Sequence, residues 1–138
     1  MKYLGLDLGS RTLGLAISDE LGMFSRAYDT LRFQDDDYEY AIEKTIEICQ
    51  KEKIKEIVLG NPKHMNGDEG IRSQISYNFK AEIEKRSDIK VHLIDERLTT
   101  VRVDKAMILG NLSRQKRHQK KDEMAAVVIL QDFLDQKH

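Results

Sequence analysis

The opening third of the chain alternates short apolar runs with turn residues. The runs span Lys2–Leu8, Thr12–Ser18 and Phe24–Phe33, and all three carry apolar and β-branched side chains. Gly9-Ser10 separates the first two runs, and Glu20-Leu21-Gly22 separates the second from the third. Short strands joined by tight connections are typical of antiparallel pairing. The pattern therefore predicts a three-stranded antiparallel meander.

Helical and strand patterns alternate beyond this point. Apolar residues recur at helical spacing over Asp37–Lys53 and again from Ile71 to Ile83, and the apolar run Glu56–Gly60 between them predicts a buried strand. The run Val91–Ile94 predicts another strand, and Thr99 is expected to cap a further helix. The apolar positions of that helix are Val103, Ala106, Met107 and Leu109.

The end of the chain divides into a basic segment and an apolar helix. Residues 111–121 hold five basic side chains and almost nothing apolar, which predicts a mobile loop. A last helix is predicted from about Asp122 to Leu134, with an apolar face broad enough to be largely buried. The basic side chains are Arg114, Lys116, Arg117, Lys120 and Lys121.

The order of these elements predicts the fold class. Three strands followed by alternating helices and strands indicate an α/β, ribonuclease H-like layout. In this layout the antiparallel meander plus two parallel strands form a five-stranded mixed sheet flanked by helices. At 138 residues, the chain is expected to form a single domain over residues 1–138. Ligands of α/β sheets gather where strands end, so strand-end side chains are the first candidates for chemistry.

Composition narrows the class of protein. Hydrophobic residues make up 40% and charged residues 34%, with one Pro, which excludes collagen-like, low-complexity and membrane-spanning chains. The formal net charge of −1 makes no global case for nucleic acid, so any electrostatic partner must be identified locally. The lone Cys49 is expected to be a small buried hydrophobe. The absence of a signal-peptide pattern after Met1 predicts a cytoplasmic protein.

Two carboxylates stand out at strand positions. The other members of the strand run around Asp7 are apolar or Gly, so a buried carboxylate there needs a metal, a hydrogen-bond donor or solvent. Hydrogen bonding to the turn at Gly9-Ser10 is the alternative. Glu96 follows a strand end and can project toward Asp7 if the two strands are neighbours; otherwise it is a solvated partner of Arg97.

A third carboxylate, Asp122, is expected to open the last helix, where it could simply stabilise the helix N-terminus. Taken together, Asp7, Glu96 and Asp122 form the donor set that Mg²⁺ or Mn²⁺ prefers, because hard cations bind anionic oxygens. Two such ions can activate a water for attack on a phosphodiester and stabilise the leaving 3′ oxygen. The combination therefore predicts a two-metal nuclease site.

Four segments of the chain carry a resemblance to a known family. They are Gly5–Ala16, Gly60-Asn61-Pro62 with Met65-Asn66-Gly67, Asp95–Thr100 and Asp122–Ala126. Together they resemble the YqgF family of pre-16S rRNA nucleases and Holliday junction resolvase-like proteins. The resemblance implies a ribonuclease H-like fold, metal-dependent phosphodiester hydrolysis and trimming of the 5′ end of precursor 16S rRNA. It also implies that Asp7, Glu96 and Asp122 bind the metal.

The chain departs from the family pattern at two places. Lys120 and Lys121 stand before Asp122 in place of an apolar pair, and Thr12 occupies a slot that is often basic. One phosphate contact is therefore expected either to be missing or to be supplied by Arg11.

Basic residues near the acids are expected to bind RNA or DNA, since cations offset the repulsion between an acidic pocket and the phosphate backbone. A solvated loop is the alternative for the basic run. The predicted nucleic-acid contacts are Arg11, Arg72, Arg97, Arg114, Lys116, Arg117, Lys120 and Lys121.

The substrate stays open between precursor 16S rRNA and branched DNA, and a symmetric junction would require a homodimer. A non-catalytic nucleic-acid-binding module is a further alternative. A phosphate-binding lobe of the actin and Hsp70 type is a third, because Asp7-Leu8-Gly9-Ser10 is similar to the first phosphate loop of those ATPases. Length argues against the third alternative, since those ATPases close two lobes around a nucleotide and 138 residues provide one.

Overall fold

The computed structural model describes residues 1–61, 70–95 and 114–137, with the backbone alone for residues 114–123. Within these ranges it contains five strands and three helices. The strands are β1 (Tyr3–Leu8), β2 (Thr12–Ser18), β3 (Ser25–Arg32), β4 (Glu56–Asn61) and β5 (Lys90–Asp95). The helices are α1 (Tyr38–Glu52), α2 (Ile71–Arg86) and α3 (Arg114–Lys137). The predicted helix after Thr99 lies outside the described residues.

The five strands form one mixed sheet in the order β3-β2-β1-β4-β5. β1 pairs antiparallel with β2 and parallel with β4, while β2–β3 is antiparallel and β4–β5 is parallel. The predicted meander and the two parallel strands are thus confirmed. Glu96 is expected to project toward Asp7 only if their strands are neighbours. That condition is not met, because β4 lies between β1, which carries Asp7, and β5, which precedes Glu96.

Alternation along β1 divides the core into two layers. Leu4 and Leu6 face a cluster that includes Ile42 of α1 and Phe79 of α2. Tyr3, on the opposite face, joins a cluster formed with α3. Both faces of the sheet are therefore covered by helices, and each fully buried Leu or Phe contributes about 1.5–3 kcal/mol relative to an exposed one.

Helix α1 has clear start and stop signals. The side chain of Asp37 accepts a hydrogen bond from the Tyr40 backbone N–H at 3.3 Å, and Lys53 ends the helix in the left-handed conformation with a φ of 59°. Cys49 is 1% exposed, and burial raises the pKa of its thiol to about 12. The prediction that Cys49 is a buried hydrophobe is confirmed.

Helix α3 is longer than the sequence pattern predicts. It begins at Arg114, so the loop expected over residues 111–121 is wrong from Arg114 onward. Arg, Lys and Gln are good helix formers, and a helix that extends past its partner sheet needs no apolar face. Asp122 is consequently the ninth residue of α3 rather than its first. Its alternative role as a carboxylate at a helix N-terminus is therefore wrong.

Helix α3 crosses the sheet in close contact with β1. A Cβ added to Gly5 would lie 2.6 Å from the Cβ of Leu130 and 3.1 Å from the carbonyl oxygen of Ala126. The rings of Tyr3 and Phe133 meet edge to face, with centroids 5.6 Å apart. Gly5 therefore permits a helix approach that any side chain would block.

Gln131 of α3 also holds the edge of the sheet. Its Oε1 accepts a hydrogen bond from the Ser25 backbone N–H at 2.9 Å, and its Nε2 donates to the Met23 carbonyl at 3.0 Å.

Among the described helices, none is long and apolar enough to cross a membrane.

Candidate active site

The carboxyl ends of the three parallel strands meet at one edge of the sheet. β1, β4 and β5 end at Leu8, Asn61 and Asp95, and Asn61 is in register with Asp95. Such an edge is where α/β sheets bind ligands. Asp7 is the penultimate residue of β1, so the structure places this predicted site residue at the expected edge.

Glycines flank Asp7 on both neighbouring strands. Gly14 of β2 is its register partner. On β4, Leu59 pairs with Leu6, so the next residue, Gly60, comes beside Asp7. Asp7 itself is half-buried. At this level of the sheet, both strands adjacent to Asp7 therefore carry a glycine.

Helix α3 covers the sheet face on which Asp7 lies. Its residues run antiparallel to β1, because Phe133 meets Tyr3 whereas Leu130 and Ala126 meet Gly5. From Gly5 to Asp7 the strand advances roughly 7 Å. From Ala126 back to Asp122 the helix retreats by roughly 6 Å. The backbone of Asp122 therefore comes level with Asp7.

Helical spacing relates Asp122 to the buried part of α3. Asp122 precedes the buried Ala126 by four residues, so the two positions share one face of the helix. The five basic positions do not share one face, since Lys116 precedes the buried Leu134 by five whole helical turns. Because α3 begins eight residues before Asp122, its first two turns extend roughly 12 Å beyond the level of Asp7.

Only two of the three predicted acids, Asp7 and Asp122, lie among the described residues. Glu96 and Arg97 lie outside the described residues; Glu96 follows Asp95, the last residue of β5, in the chain. Within the described part of the chain, no three His, Cys, Asp or Glu side chains gather as a metal-binding cluster. The roles of Asp7, Glu96 and Asp122 as metal ligands stay predictions.

Arg72 is held at the end of β1. Its Nη2 donates to the Leu8 carbonyl at 2.8 Å, and its Nη1 donates to the Tyr38 hydroxyl at 3.2 Å. The Tyr38 hydroxyl donates in turn to Asp36 Oδ1 at 3.0 Å. The sequence predicts a nucleic-acid contact for Arg72, and this stays a prediction. In the fold, two of its N–H groups bind the protein itself.

Arg11 follows β1 in the turn and pairs with Asp35. Its Nε bonds Asp35 Oδ1, and its Nη2 donates to Oδ2 at 3.1 Å. The guanidinium lowers the pKa of the Asp35 carboxyl, and the carboxylate raises the pKa of Arg11. With Arg32 and Tyr40, the pair lines a surface cavity of about 610 Å³. A phosphate that binds Arg11 would therefore compete with Asp35.

Two features of the site are not apparent from the sequence: the position of Gly60 beside Asp7 and the contact of Tyr38 with Arg72. Gly60 flanks Asp7 only because β4 lies beside β1, and the periodicity of a strand does not reveal its neighbour. Tyr38 reaches Arg72 from a different helix, so no local pattern links them. The one available signal for Gly60 was its position at the end of an apolar strand run, where a glycine often marks close approach of a ligand.

A five-stranded mixed sheet in the order β3-β2-β1-β4-β5, covered by helices on both faces, is the layout of the ribonuclease H-like fold. The sequence model of the family described as "RuvX: Holliday junction resolvase" matches residues 1–136. The chain belongs to this RuvX family, and the resemblance to the YqgF family is thereby confirmed.

Relatives of similar length share the whole chain. A protein of Geobacillus sp. (strain WCH70) named "Putative pre-16S rRNA nuclease" is 43% identical over 137 residues, covering 99% of each chain. A protein of the same name from Bacillus subtilis (strain 168) is 43% identical over 135 residues, covering 98% of each chain. These matches support the assignment of the chain as a nuclease.

Solved structures of resolvases share the fold. "T. thermophilus RuvC in complex with Holliday junction substrate" superposes with a TM-score of 0.68 at 11% identity, covering 99% of this chain and 95% of that one. The fowlpox virus resolvase, solved with its Holliday junction DNA, gives 0.61 at 13% identity, covering 99% of each chain. The predicted ribonuclease H-like fold is therefore confirmed.

Proposed function

We propose that this chain is a metal-dependent phosphodiesterase that matures the 5′ end of precursor 16S rRNA in the cytoplasm. Asp7, Glu96 and Asp122 are the proposed ligands of two Mg²⁺ or Mn²⁺ ions. The names of the relatives support this substrate. The observation that carries the proposal is the setting of Asp7, between two glycines and level with the backbone of Asp122.

The residues at this edge fit a hard divalent cation. Carboxylate oxygens are the preferred ligands of Mg²⁺ and Mn²⁺. Gly14 and Gly60 leave room beside Asp7 that a larger side chain would fill. A pair of ions held there would supply an activated water and stabilise the leaving 3′ oxygen.

The protein's own residues orient the substrate. Asp7 is carried by the central strand of the sheet, which pairs with β2 on one side and with β4 on the other. The basic first turns of α3 extend past the strand ends, where cations attract a phosphate backbone without sequence preference. The strand bearing the scissile phosphate is thus drawn toward the acids.

Cleavage assays test the proposal. Purified protein is incubated with an RNA that spans the 5′ end of 16S rRNA and its precursor sequence, in Mg²⁺, Mn²⁺ or EDTA. Cleavage is expected with either metal and not in EDTA. Loss of a group one shell beyond a metal typically costs about 10- to 100-fold, so Asp7→Asn is expected to lower the rate by at least about 100-fold. Asp29→Asn, at an exposed carboxylate of β3, is the matched control.

Combined variants test whether the three acids act as one unit. Glu96→Gln and Asp122→Asn are each expected to depress cleavage without abolishing RNA binding. Adding Asp7→Asn to either should lower the cleavage rate little further, because the first substitution already leaves the proposed metal pair incomplete. Single-turnover rates at saturating protein measure this. Independent multiplicative losses, or full activity of Asp7→Asn, would overturn the proposed site.

The family description supports a second candidate, the resolution of branched DNA. A symmetric four-way junction offers two equivalent cleavage positions, so this activity requires a homodimer. The same assay with a four-way DNA junction, followed by sedimentation of the complex, separates the two candidates. Cleavage of the junction by a dimer, with the RNA left intact, would replace the first candidate by the second. Binding of both substrates without cleavage of either would leave a non-catalytic module.

A further inference from the structure

The end of β1 is held both by the sheet and by a helix. Pairing of β1 with β4 reaches Leu6, whereas on the other side Leu8 still pairs with Leu13 of β2. The Leu8 carbonyl accepts a hydrogen bond from Arg72 Nη2 at 2.8 Å. Arg72 is the second residue of α2, which belongs to the layer on the other face of the sheet from α3. A helix side chain therefore fixes the backbone that immediately follows Asp7.

The same network holds the turn after β1. The Tyr38 hydroxyl joins Arg72 to Asp36, and the Asp36 backbone N–H donates to the Ser10 carbonyl at 2.8 Å. The ring of Tyr38 packs edge to face on Phe33, with centroids 6.3 Å apart. Leu8 and Ser10 are thus each tied to the start of a helix through Arg72, Tyr38 and Asp36.

We propose that Arg72 is a positioning residue that holds the carboxylate of Asp7 in place for the metal. This inference rests on the proposed function of the site. Groups that bind a metal must stay within roughly 0.5 Å of the productive geometry. A planar guanidinium can hold the Leu8 carbonyl and the Tyr38 hydroxyl at once in fixed directions, whereas a lysine ammonium is a single flexible point charge.

A second arginine of α2 provides a matched control. At the opposite end of the helix, Arg86 Nη2 donates to Glu39 Oε1 of α1 at 2.7 Å and to Glu82 Oε1 at 3.0 Å. Arg86 therefore links α1 and α2 as Arg72 does, but it contacts neither β1 nor the turn that follows it in any hydrogen bond of the described residues.

The test compares Arg72→Lys with Arg86→Lys in the full chain. Mn²⁺ affinity is measured by calorimetry without nucleic acid, and kcat, KM, RNA affinity and melting temperature are measured alongside. Arg72→Lys is expected to weaken Mn²⁺ binding by on the order of 10-fold and to lower kcat. Its KM and RNA affinity should stay as in the unmodified protein. Arg86→Lys is expected to change the melting temperature alone.

A milder variant guards against general unfolding. Tyr38→Phe removes the hydroxyl and leaves the bond from Arg72 to Leu8, so it should weaken Mn²⁺ binding by a smaller factor at a nearly unchanged melting temperature. Amide hydrogen exchange at Leu8, Gly9 and Ser10 should rise in Arg72→Lys and not in Arg86→Lys. The exchange measurement needs neither metal nor activity.

The outcomes separate this inference from the proposed function. If Asp7→Asn binds Mn²⁺ as the unmodified protein does, the proposed site fails and the positioning role fails with it. If Asp7→Asn loses Mn²⁺ while Arg72→Lys keeps it, the positioning role alone is overturned. A weaker RNA affinity of Arg72→Lys at unchanged Mn²⁺ affinity would instead make Arg72 a phosphate contact.

Discussion

Asp7 combines a charge with a setting made for apolar side chains. It is half-buried on a strand whose other residues are apolar or Gly. Removing a carboxylate from water carries a large free-energy cost unless a partner offsets it. This conflict within one strand is visible in the sequence, and for that reason Asp7 could be identified before the fold was known.

The same conflict predicts the stability of Asp7→Asn. The amide keeps the shape of the carboxylate and removes its charge, so the metal-free melting temperature should hold or rise as repulsion from the other acids is relieved. The increase in melting temperature that Mn²⁺ gives the unmodified protein should disappear. Scanning calorimetry with Mn²⁺ and with EDTA measures both effects. A variant still stabilised by Mn²⁺ would place the ion elsewhere.

Asp35 pairs with Arg11, a predicted nucleic-acid contact. Both side chains are largely exposed, so their pairing adds little to folding stability, yet it occupies the guanidinium expected to bind phosphate. Asp35→Asn should therefore raise nucleic-acid affinity at neutral pH by about fivefold, equivalent to roughly 1 kcal/mol. Fluorescence anisotropy with a labelled RNA measures the change. Asp29→Asn removes the same charge from β3, and an equal gain in that control would reduce the effect to net charge.

Between elements, the contact of α3 with β1 is the one that aligns the proposed acids. It depends on Gly5, where any side chain would meet Leu130. Ala126 and Leu130 themselves are fully buried. Because α3 lies against the backbone of β1 at Gly5, an increase in the distance between helix and strand should also displace Asp122.

Gly5→Ala should therefore impair stability and activity together. Overpacking of this kind lowers the free energy of unfolding by about 1–3 kcal/mol, and the displaced helix should lower the cleavage rate well below the melting temperature. Denaturant unfolding measures the loss of stability. Single-turnover cleavage, measured about 20 °C below the melting temperature of the variant, measures the loss of rate. At that temperature the variant keeps roughly several kcal/mol of its free energy of unfolding, so it remains folded.

Ile83→Val is the control for this variant. Ile83 is fully buried in α2 on the other face of the sheet, and its truncation costs about 0.5–1.5 kcal/mol. It should lose stability and keep its cleavage rate. Equal losses of rate in Gly5→Ala and Ile83→Val would show that stability alone governs activity.

The elements differ in how well their sequences predict them. The five strands and helices α1 and α2 follow their apolar patterns to within three residues. The start of α3 does not, because its first turns are basic and polar. A helix stabilised by the intrinsic preference of Arg, Lys and Gln has no apolar stripe, so hydrophobic periodicity cannot detect it.

At the scale of the whole molecule the net charge is only −1, and basic residues lie at both edges of the sheet. The basic turns of α3 lie beyond the strand ends, whereas exposed lysines such as Lys51 and Lys85 lie where α1 and α2 end, at the other edge. The proposed acids belong to the first edge, so a phosphate backbone is expected to bind there rather than at the second.

Replacing Arg114, Lys116, Arg117 and Lys120 with Ala should weaken nucleic-acid binding and flatten its salt dependence. Each cation that neutralises a phosphate of a single strand contributes about 0.7 to the slope of log affinity against log salt, so the slope should fall by up to about 3. Ala also favours the helix, so the melting temperature should change little.

The matched variant replaces Lys51, Lys55, Lys85 and Lys90, four exposed lysines, with Ala. Titrations at several salt concentrations should give this variant the slope of the unmodified protein. If both variants flatten the slope equally, the contact is a diffuse one with no preferred edge.

The order of strands in the sheet was the least predictable feature. Crossover helices require β4 and β5 to run parallel to β1, but they do not say which of the two lies beside it. The sequence leaves that choice open, and the position of Glu96 relative to Asp7 depends on it. Strand order is decided by how whole faces pack, and no segment of the chain encodes it alone.

The parts of the proposed site are also made at different times during synthesis of the chain. The hairpin of β1 and β2, which sets Gly14 beside Asp7, joins neighbouring segments and can form within about 1–10 μs of leaving the ribosome. Gly60 arrives only when β4 has been made, and α3 is the last helix to be translated. A nascent chain that already carries Asp7 therefore still lacks Asp122. If Asp7 and Asp122 act together as proposed, the chain would gain its cleavage activity only after α3 has been made and has docked on the sheet.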